Sequence, residues 1–306
     1  MAFTQRMGMF ISETHTTAAE WCFTVEKMLF EGVTKYQEVQ ICEIPRFGKT
    51  LFLDYKIQSS ILDEFIFHEC MTQPAMFLHP NPKSVFVAGG GEGATLREAL
   101  RHPSVERAVM VDIDGELIAM VKEHMPEWHQ GAFDDPRTEL VHMDARKYLK
   151  ETDEKFDVIL SDLPDPLEGG PAVYLFTEEY FALCRDRLTD DGVFAMQAGC
   201  ANINYPDCFA PCLRTVQQVF PETHGYWAIM TTFFLPWGFV LGSKQHSPLD
   251  LTEADLEARF EERGIVNRYY TPRFHRSVFT LPDYLEEAVR TKGYVMTDAA
   301  PFIWTA

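Results

Sequence analysis

The chain has 306 residues, with 27 Lys+Arg against 46 Asp+Glu and a formal net charge of −19. That length suggests about two domains, and 46% hydrophobic with 24% charged residues excludes a disordered or low-complexity chain. The acid excess argues against a nucleic-acid partner, which would need a basic face; it reads first as surface solubility and second as an attraction for cations.

The first 17 residues, MAFTQRMGMFISETHTT, hold one basic residue and a short apolar patch, so no signal peptide is expected. Residues 36–67 read as β-structure. YQEVQICEI alternates apolar and polar residues, PRFG supplies turn chemistry, and KTLFLDYKIQSS follows as a second alternating run. Residues 63–77 carry the helical spacing Phe67, Met71, Ala75. HPNPK at 79–83 stops that helix and suits a junction. The expected division is an N-terminal β-rich domain over 1–75 and a second domain over 76–306.

From Ser84 the pattern becomes strand–helix alternation. SVFVAG, ERAVMVDID, TELVHMD, FDVILSDLPDP and GVFAMQAG read as five strands, with ATLREALRH, ELIAMVKEHM and TEEYFALCRDRL as helices between them. Such alternation predicts an α/β domain: a doubly wound, Rossmann-like sheet of methyltransferase type, preceded by the small β-domain. The longest apolar block, residues 233–241, is broken by Pro236 and Gly238 and falls short of the ~20 residues a membrane helix needs. Seven cysteines show no CxxC pairing, so no metal site is expected and reduced thiols in a cytoplasmic protein are the simpler account.

Gly89, Gly90, Gly91, Glu92 and Gly93 lie directly after one strand and before a helix. Glycines there let a ligand approach the backbone at a helix N-terminus, although a tight turn alone can demand them. Asp112 ends the next strand about 20 residues on, where an acid can bind both ribose hydroxyls. The G-x-G-x-G spacing and the acid Glu92 favour an adenosyl-sulfonium ligand over a dinucleotide, whose pyrophosphate Glu92 would repel. Asp144 can accept from an adenine amino group or simply cap a helix. Asp162 and Asp165 can be turn formers, yet five acids (Glu92, Asp112, Asp144, Asp162, Asp165) at successive strand ends are costly unless a cation binds there.

GGGEGATLREALRHPSVERAVMVDID, FDDPR, FDVILSDLPDP and GPAVYLF, in this order, resemble the spermidine synthase family of polyamine aminopropyltransferases. YQEVQICEIPRFGKTLFLDYKIQSSILDEFIFHE resembles the small β-domain of the same family, so the likeness spans about residues 30–306. It implies transfer of an aminopropyl group from decarboxylated S-adenosylmethionine, a co-substrate, to a polyamine in polyamine biosynthesis, with release of 5′-methylthioadenosine and no metal or other cofactor. By resemblance Gln37, Gln58 and Glu92 hold the aminopropyl arm, with Gly89, Gly91 and Gly93 beneath the donor. Asp112 binds ribose and Asp144 adenine; Asp162 is the base, and Asp165 and His68 line the acceptor pocket. A homodimer or homotetramer is also implied.

Three departures bear on the acceptor. DLPDPLEGGPA carries two residues more than the family's usual run, Phe67 stands where Tyr is frequent, and GYWAIMTTFFLPWGF lacks the tyrosine of putrescine users. The loop looks like that of thermospermine synthases, while GEGATLREAL and PEWHQGAFDDPR look like thermophile enzymes that take agmatine or triamines. The expected order is a triamine such as spermidine, then agmatine, then putrescine. The competing readings are an S-adenosylmethionine-dependent methyltransferase and a non-enzymatic polyamine-binding protein. The Pro- and Gly-rich segment 162–176 is expected to cover the site as a lid.

Overall fold

The computed structural model describes residues 8–16 and 19–304. Among them the strands form three sheets. β1 (Met9–Thr16) and β2 (Ala19–Val25) make an antiparallel hairpin. β3 (Lys27–Val33), β4 (Glu38–Ile44), β5 (Gly48–Leu53) and β6 (Lys56–Ser60) make a four-stranded antiparallel sheet.

The β-region therefore begins well before residue 36. The alternation in β1 is hidden because an acid, Glu13, takes an inward position beside Ile11. KTLFLDYKIQSS is two strands rather than one run. Asp54 and Tyr55 adopt φ of 49° and 60° and turn the chain between β5 and β6, a conformation more often signalled by Asn-Gly.

α1 (Glu64–Leu78) follows, and every residue from His68 to Leu78 is buried, so it is a core helix rather than a half-exposed one. Its interior Pro74 cannot donate to the carbonyl four residues back. That carbonyl, of Cys70, accepts from the Tyr226 hydroxyl at 2.9 Å instead.

The third sheet has seven strands: β7 (Ser84–Gly89), β8 (Arg107–Asp112), β9 (Thr138–His142), β10 (Phe156–Asp162), β11 (Leu188–Cys200), β12 (Glu222–Met230) and β13 (Leu235–Ser243). Its order is β12-β13-β11-β10-β7-β8-β9. The five expected strands are parallel, while β13 runs antiparallel to β11 and β12 to β13. The helices are α2 (Ala94–Leu100), α3 (Gly115–His124), α4 (Pro126–His129), α5 (Ala145–Glu151), α6 (Glu178–Arg187), α7 (Phe209–Val219), α8 (Glu253–Arg263), α9 (His275–Val278) and α10 (Asp283–Lys292).

Val85 and Val87 of β7 face one hydrophobic core, and Phe86 and Ala88 face the other. Burial on both faces is what a parallel sheet between two helical layers requires. The β12–β13 hairpin was not legible in the sequence because glycines and Pro236 break its pattern. Gly238 is needed there: a Cβ would stand 2.3 Å from Cδ2 of Phe209 on α7.

The turn of that hairpin reaches the N-terminal sheet through Asp63. Its Oδ2 accepts from Thr232 N at 2.9 Å, and its Oδ1 accepts from Ser60 Oγ at 3.2 Å and from Thr232 Oγ1. Asp63 precedes α1 but spends its carboxylate on these partners and does not cap the helix. No helix among the described residues is long and apolar enough to cross a membrane.

Candidate active site

The chain leaves β7 toward β8 and β9 on one side and returns to β10 and β11 on the other, so the crevice opens where the order reverses. Gly89 pairs with Asp162 across β7 and β10, and Gly90 N donates to Asp162 O at 2.8 Å. Gly89 has a φ of +75°, and a Cβ on it would lie 2.2 Å from Asp162 O. The glycine is thus required by the turn itself. Over Gly91 the same turn passes Asp112, whose Oδ2 lies 3.2 Å from where a Cβ would be.

Asp112 accepts from Asp114 N at 2.8 Å. Burial, with Asp114 and Asp162 nearby, pushes its carboxyl up to about 6 against the pull of that backbone bond. Gln37 arrives from just before β4 and donates through Nε2 to Asp114 Oδ2 at 2.9 Å, an oxygen that also accepts from Thr34 Oγ1 at 2.6 Å. The N-terminal sheet is thereby fastened to the end of β8.

Glu92 is held up to about 7, first by burial and then by Asp162, with His68 pulling the other way. His68 Nε2 stands 3.7 Å from Glu92 Oε2. Its Nδ1 is 2.7 Å from Glu64 O and 2.9 Å from Glu64 Oε2. Burial opposes a charged imidazole, but Glu64, Glu92 and Asp162 outweigh it and raise the His68 pKa.

Asp162 Oδ2 accepts from Thr95 Oγ1 of α2 at 2.6 Å. Burial raises its pKa despite His68 and Thr95. Asp165 is likewise raised by burial, against Gln197 and Lys56. Gln197 of β11 donates to Leu163 O at 2.6 Å and reaches Asp165 Oδ1 at 3.4 Å, while accepting from Trp237 Nε1 at 3.1 Å. Buried Glu13 of β1 accepts from Ile57 N at 3.0 Å and feels the charges of Lys56 and Asp165.

The structure gathers Glu92, Asp112, Asp162 and His68 around the glycine turn, with Asp165 on the following loop. Asp144 caps α5, accepting from Lys147 N at 2.8 Å, directly after Met143, whose N–H donates to Asp112 O at 3.1 Å. Gln58 lines a small cleft with Ser59, Glu64, Phe67 and Phe233, its Nε2 donating to Lys56 O at 3.1 Å. Sequence reasoning missed Thr95, Glu64, Gln197 and Glu13. The first three act on a site carboxylate or imidazole rather than matching a motif residue. Glu13 had one signal, an acid two residues after the apolar Ile11, on the same buried side of β1. No group of three or more His, Cys, Asp or Glu side chains among the described residues is arranged to hold a metal ion.

Residues 64–252 match the spermine/spermidine synthase domain and residues 9–60 the spermidine synthase tetramerisation domain. A polyamine aminopropyltransferase 1 of Hyperthermus butylicus is 44% identical over 262 residues, covering 85% of this chain and 89% of that protein. A polyamine aminopropyltransferase 2 of Pseudomonas aeruginosa is 36% identical, covering 93% and 82%. The crystal structure of a spermidine synthase in complex with the transition-state analogue AdoDATO superposes with a TM-score of 0.87 at 31% identity, over 95% of this chain and 98% of that one. The spermidine synthase of Thermotoga maritima gives 0.84 at 31% identity, over 95% and 97%.

Proposed function

The chain belongs to the spermine/spermidine synthase family, and from that premise we propose how its crevice divides the work. It is a polyamine aminopropyltransferase that uses decarboxylated S-adenosylmethionine as co-substrate and releases 5′-methylthioadenosine. The methyltransferase and non-enzymatic readings give way to that membership.

The donor lies on Gly89, Gly91 and Gly93, with ribose on Asp112, adenine beside Asp144, and the aminopropyl arm among Gln37, Gln58 and Glu92. The acceptor lies between His68 and Asp165. Its neutral amine attacks the carbon next to the sulfonium, in line with the departing sulfur. The new N–C bond forms as the C–S bond breaks, its electron pair passes to sulfur, and the amine proton passes to Asp162. A buried carboxylate with a raised pKa suits that task, because its affinity for a proton is nearer the working pH. The observation that carries this reading is the meeting of Asp112, Asp162 and Glu92 around one glycine turn, each with a carboxyl raised by burial. Several such acids in one place favour a ligand that brings its own positive charges.

We rank a triamine such as spermidine first as acceptor, agmatine second and putrescine third. The two extra residues in the 162–171 loop and the continuation of acidic groups from Asp165 to Glu13 support a long acceptor. The match over residues 9–60 supports an oligomer; we take it to be a homodimer or homotetramer in the cytoplasm. We divide the chain into an N-terminal β-rich domain over 1–75 and a catalytic domain over 76–306. A competition assay offering putrescine, agmatine, spermidine and spermine with the decarboxylated donor tests the ranking. The triamine should give the highest kcat/KM; a preference for putrescine would reverse the order.

A further inference from the structure

Glu64 opens α1 and makes two buried ion pairs. Its Oε2 is 2.9 Å from His68 Nδ1 and 3.0 Å from a terminal nitrogen of Arg97, and its Oε1 is 3.4 Å from the other. Arg97 is in turn fixed on α2 by donating to Trp128 O at 2.6 Å and to Glu98 Oε1 at 3.1 Å. On the far side of the imidazole, Glu92 Oε2 is buried without a hydrogen-bond partner among the described residues, 3.7 Å from His68 Nε2.

We infer that Glu64, held by Arg97, is a positioning residue that keeps a proton on His68 Nδ1 and so commits Nε2 to the crevice between Glu92 and Asp162. This rests on the reading of that crevice as the place where the amine reacts. A carboxylate at 2.9 Å accepts only from a protonated Nδ1, so the neutral ring has a single tautomer, with its lone pair on Nε2. The groups facing the ring are Glu64 and Phe67 on its own helix, Glu92 on the glycine turn and Asp162 at the end of β10, with Arg97 behind Glu64.

Two states of His68 follow. With the crevice free of amine, Nε2 also carries a proton, and the imidazolium serves as an internal cation for Glu92 and Asp162. When an ammonium group arrives it supplies that charge. Nε2 then releases its proton to solvent and accepts an N–H from the amine. Acceptor binding is thereby linked to loss of a proton, and the linkage depends on Glu64. A residue that only supported α1 would leave proton release and the pH profile unchanged.

The test is calorimetric titration of spermidine into enzyme saturated with 5′-methylthioadenosine, so that no turnover occurs, in buffers of different ionisation enthalpy near pH 7. Wild-type enzyme should release a substantial fraction of a proton per amine bound. Glu64→Gln should release measurably less, with acceptor KM raised about tenfold, donor KM within twofold, and the acid limb of kcat/KM for the acceptor displaced. Arg97→Lys, which keeps the charge but loses the two-point contact, should fall between the two and serves if Glu64→Gln does not fold. Equal proton release in wild type and both variants, or none in wild type, overturns the inference. Full turnover by Asp162→Asn would instead overturn the underlying reading of the crevice, and the two failures are separable because the titration does not depend on catalysis.

Discussion

Thr95 Oγ1 donates to Asp162 Oδ2 at 2.6 Å, which fixes one carboxylate oxygen as an acceptor; in the proposed mechanism the other oxygen receives the amine proton. Asp162→Asn should lower kcat by about 10²–10⁴-fold with little change in affinity for 5′-methylthioadenosine. Thr95→Val keeps the carboxylate but frees its orientation, and should lower kcat about tenfold, the equivalent of one hydrogen bond. Steady-state kinetics with direct binding of the nucleoside product checks both; turnover near wild type in Asp162→Asn would remove it as the base.

The pH dependence has a definite sign. Glu92, at about 7, and Asp112, at about 6, lose their charge as pH falls through those values, and a cationic substrate loses its partners. The profile of kcat/KM should rise with pH through that window and level off above it.

Stability of the ligand-free protein runs the other way. Both acids ionise more readily when unfolded, near 4.5 and 3.8, so between those values and 7 the folded state binds more protons and loses stability as pH rises. Glu92→Gln should therefore raise thermal stability at pH 8, by about 1–3 kcal/mol after allowing for partial solvent access. At pH 4 it should change little. Calorimetric melting at the two pH values separates these cases; equal effects at both would contradict the account.

Tyr226 supplies the hydrogen bond that Pro74 denies to Cys70 O. Tyr226→Phe keeps the ring packed on Phe239 but leaves a buried carbonyl without its donor. Urea unfolding should show a loss of about 1–2 kcal/mol. Tyr226→Phe combined with Pro74→Ala should recover part of it, since an alanine N–H can again reach that carbonyl.

The loop after β10 is held at one point by the C-terminal segment: Trp304 N donates to Pro166 O at 2.8 Å, and Leu167 bridges to Trp304. Limited proteolysis should cut within residues 163–176, more slowly when 5′-methylthioadenosine and spermidine are both present. Trp304→Pro, which removes the donating N–H, should speed cleavage and raise acceptor KM. Equal cleavage with and without ligands would argue against a covering role for this loop.

The parallel strands could be read from the sequence because they are buried on both faces, and Val85 to Ala88 give an unbroken apolar run. β1 and the β12–β13 hairpin could not, since Glu13 occupies a core-facing position and Gly238 replaces a side chain to admit Phe209. The acids at strand ends were visible because their spacing follows the strand–helix rhythm. Thr95 and Gln197 were not. They matter through distances of 2.6 Å and 3.4 Å to acids 67 and 32 residues away, which nothing local in the sequence encodes.

Thr232 and Asp63 are 169 residues apart in sequence, and their contact joins the hairpin turn to the start of α1 beside Phe67 and Phe233. During synthesis the carboxylate of Asp63 must wait for more than half of the chain to emerge before its partners exist. Closing so long a loop is slow relative to local pairing. The wall carrying Phe67 and Phe233 is thus expected to set late in folding. A refolding experiment that follows recovery of acceptor binding should lag behind recovery of nucleoside binding at the glycine turn.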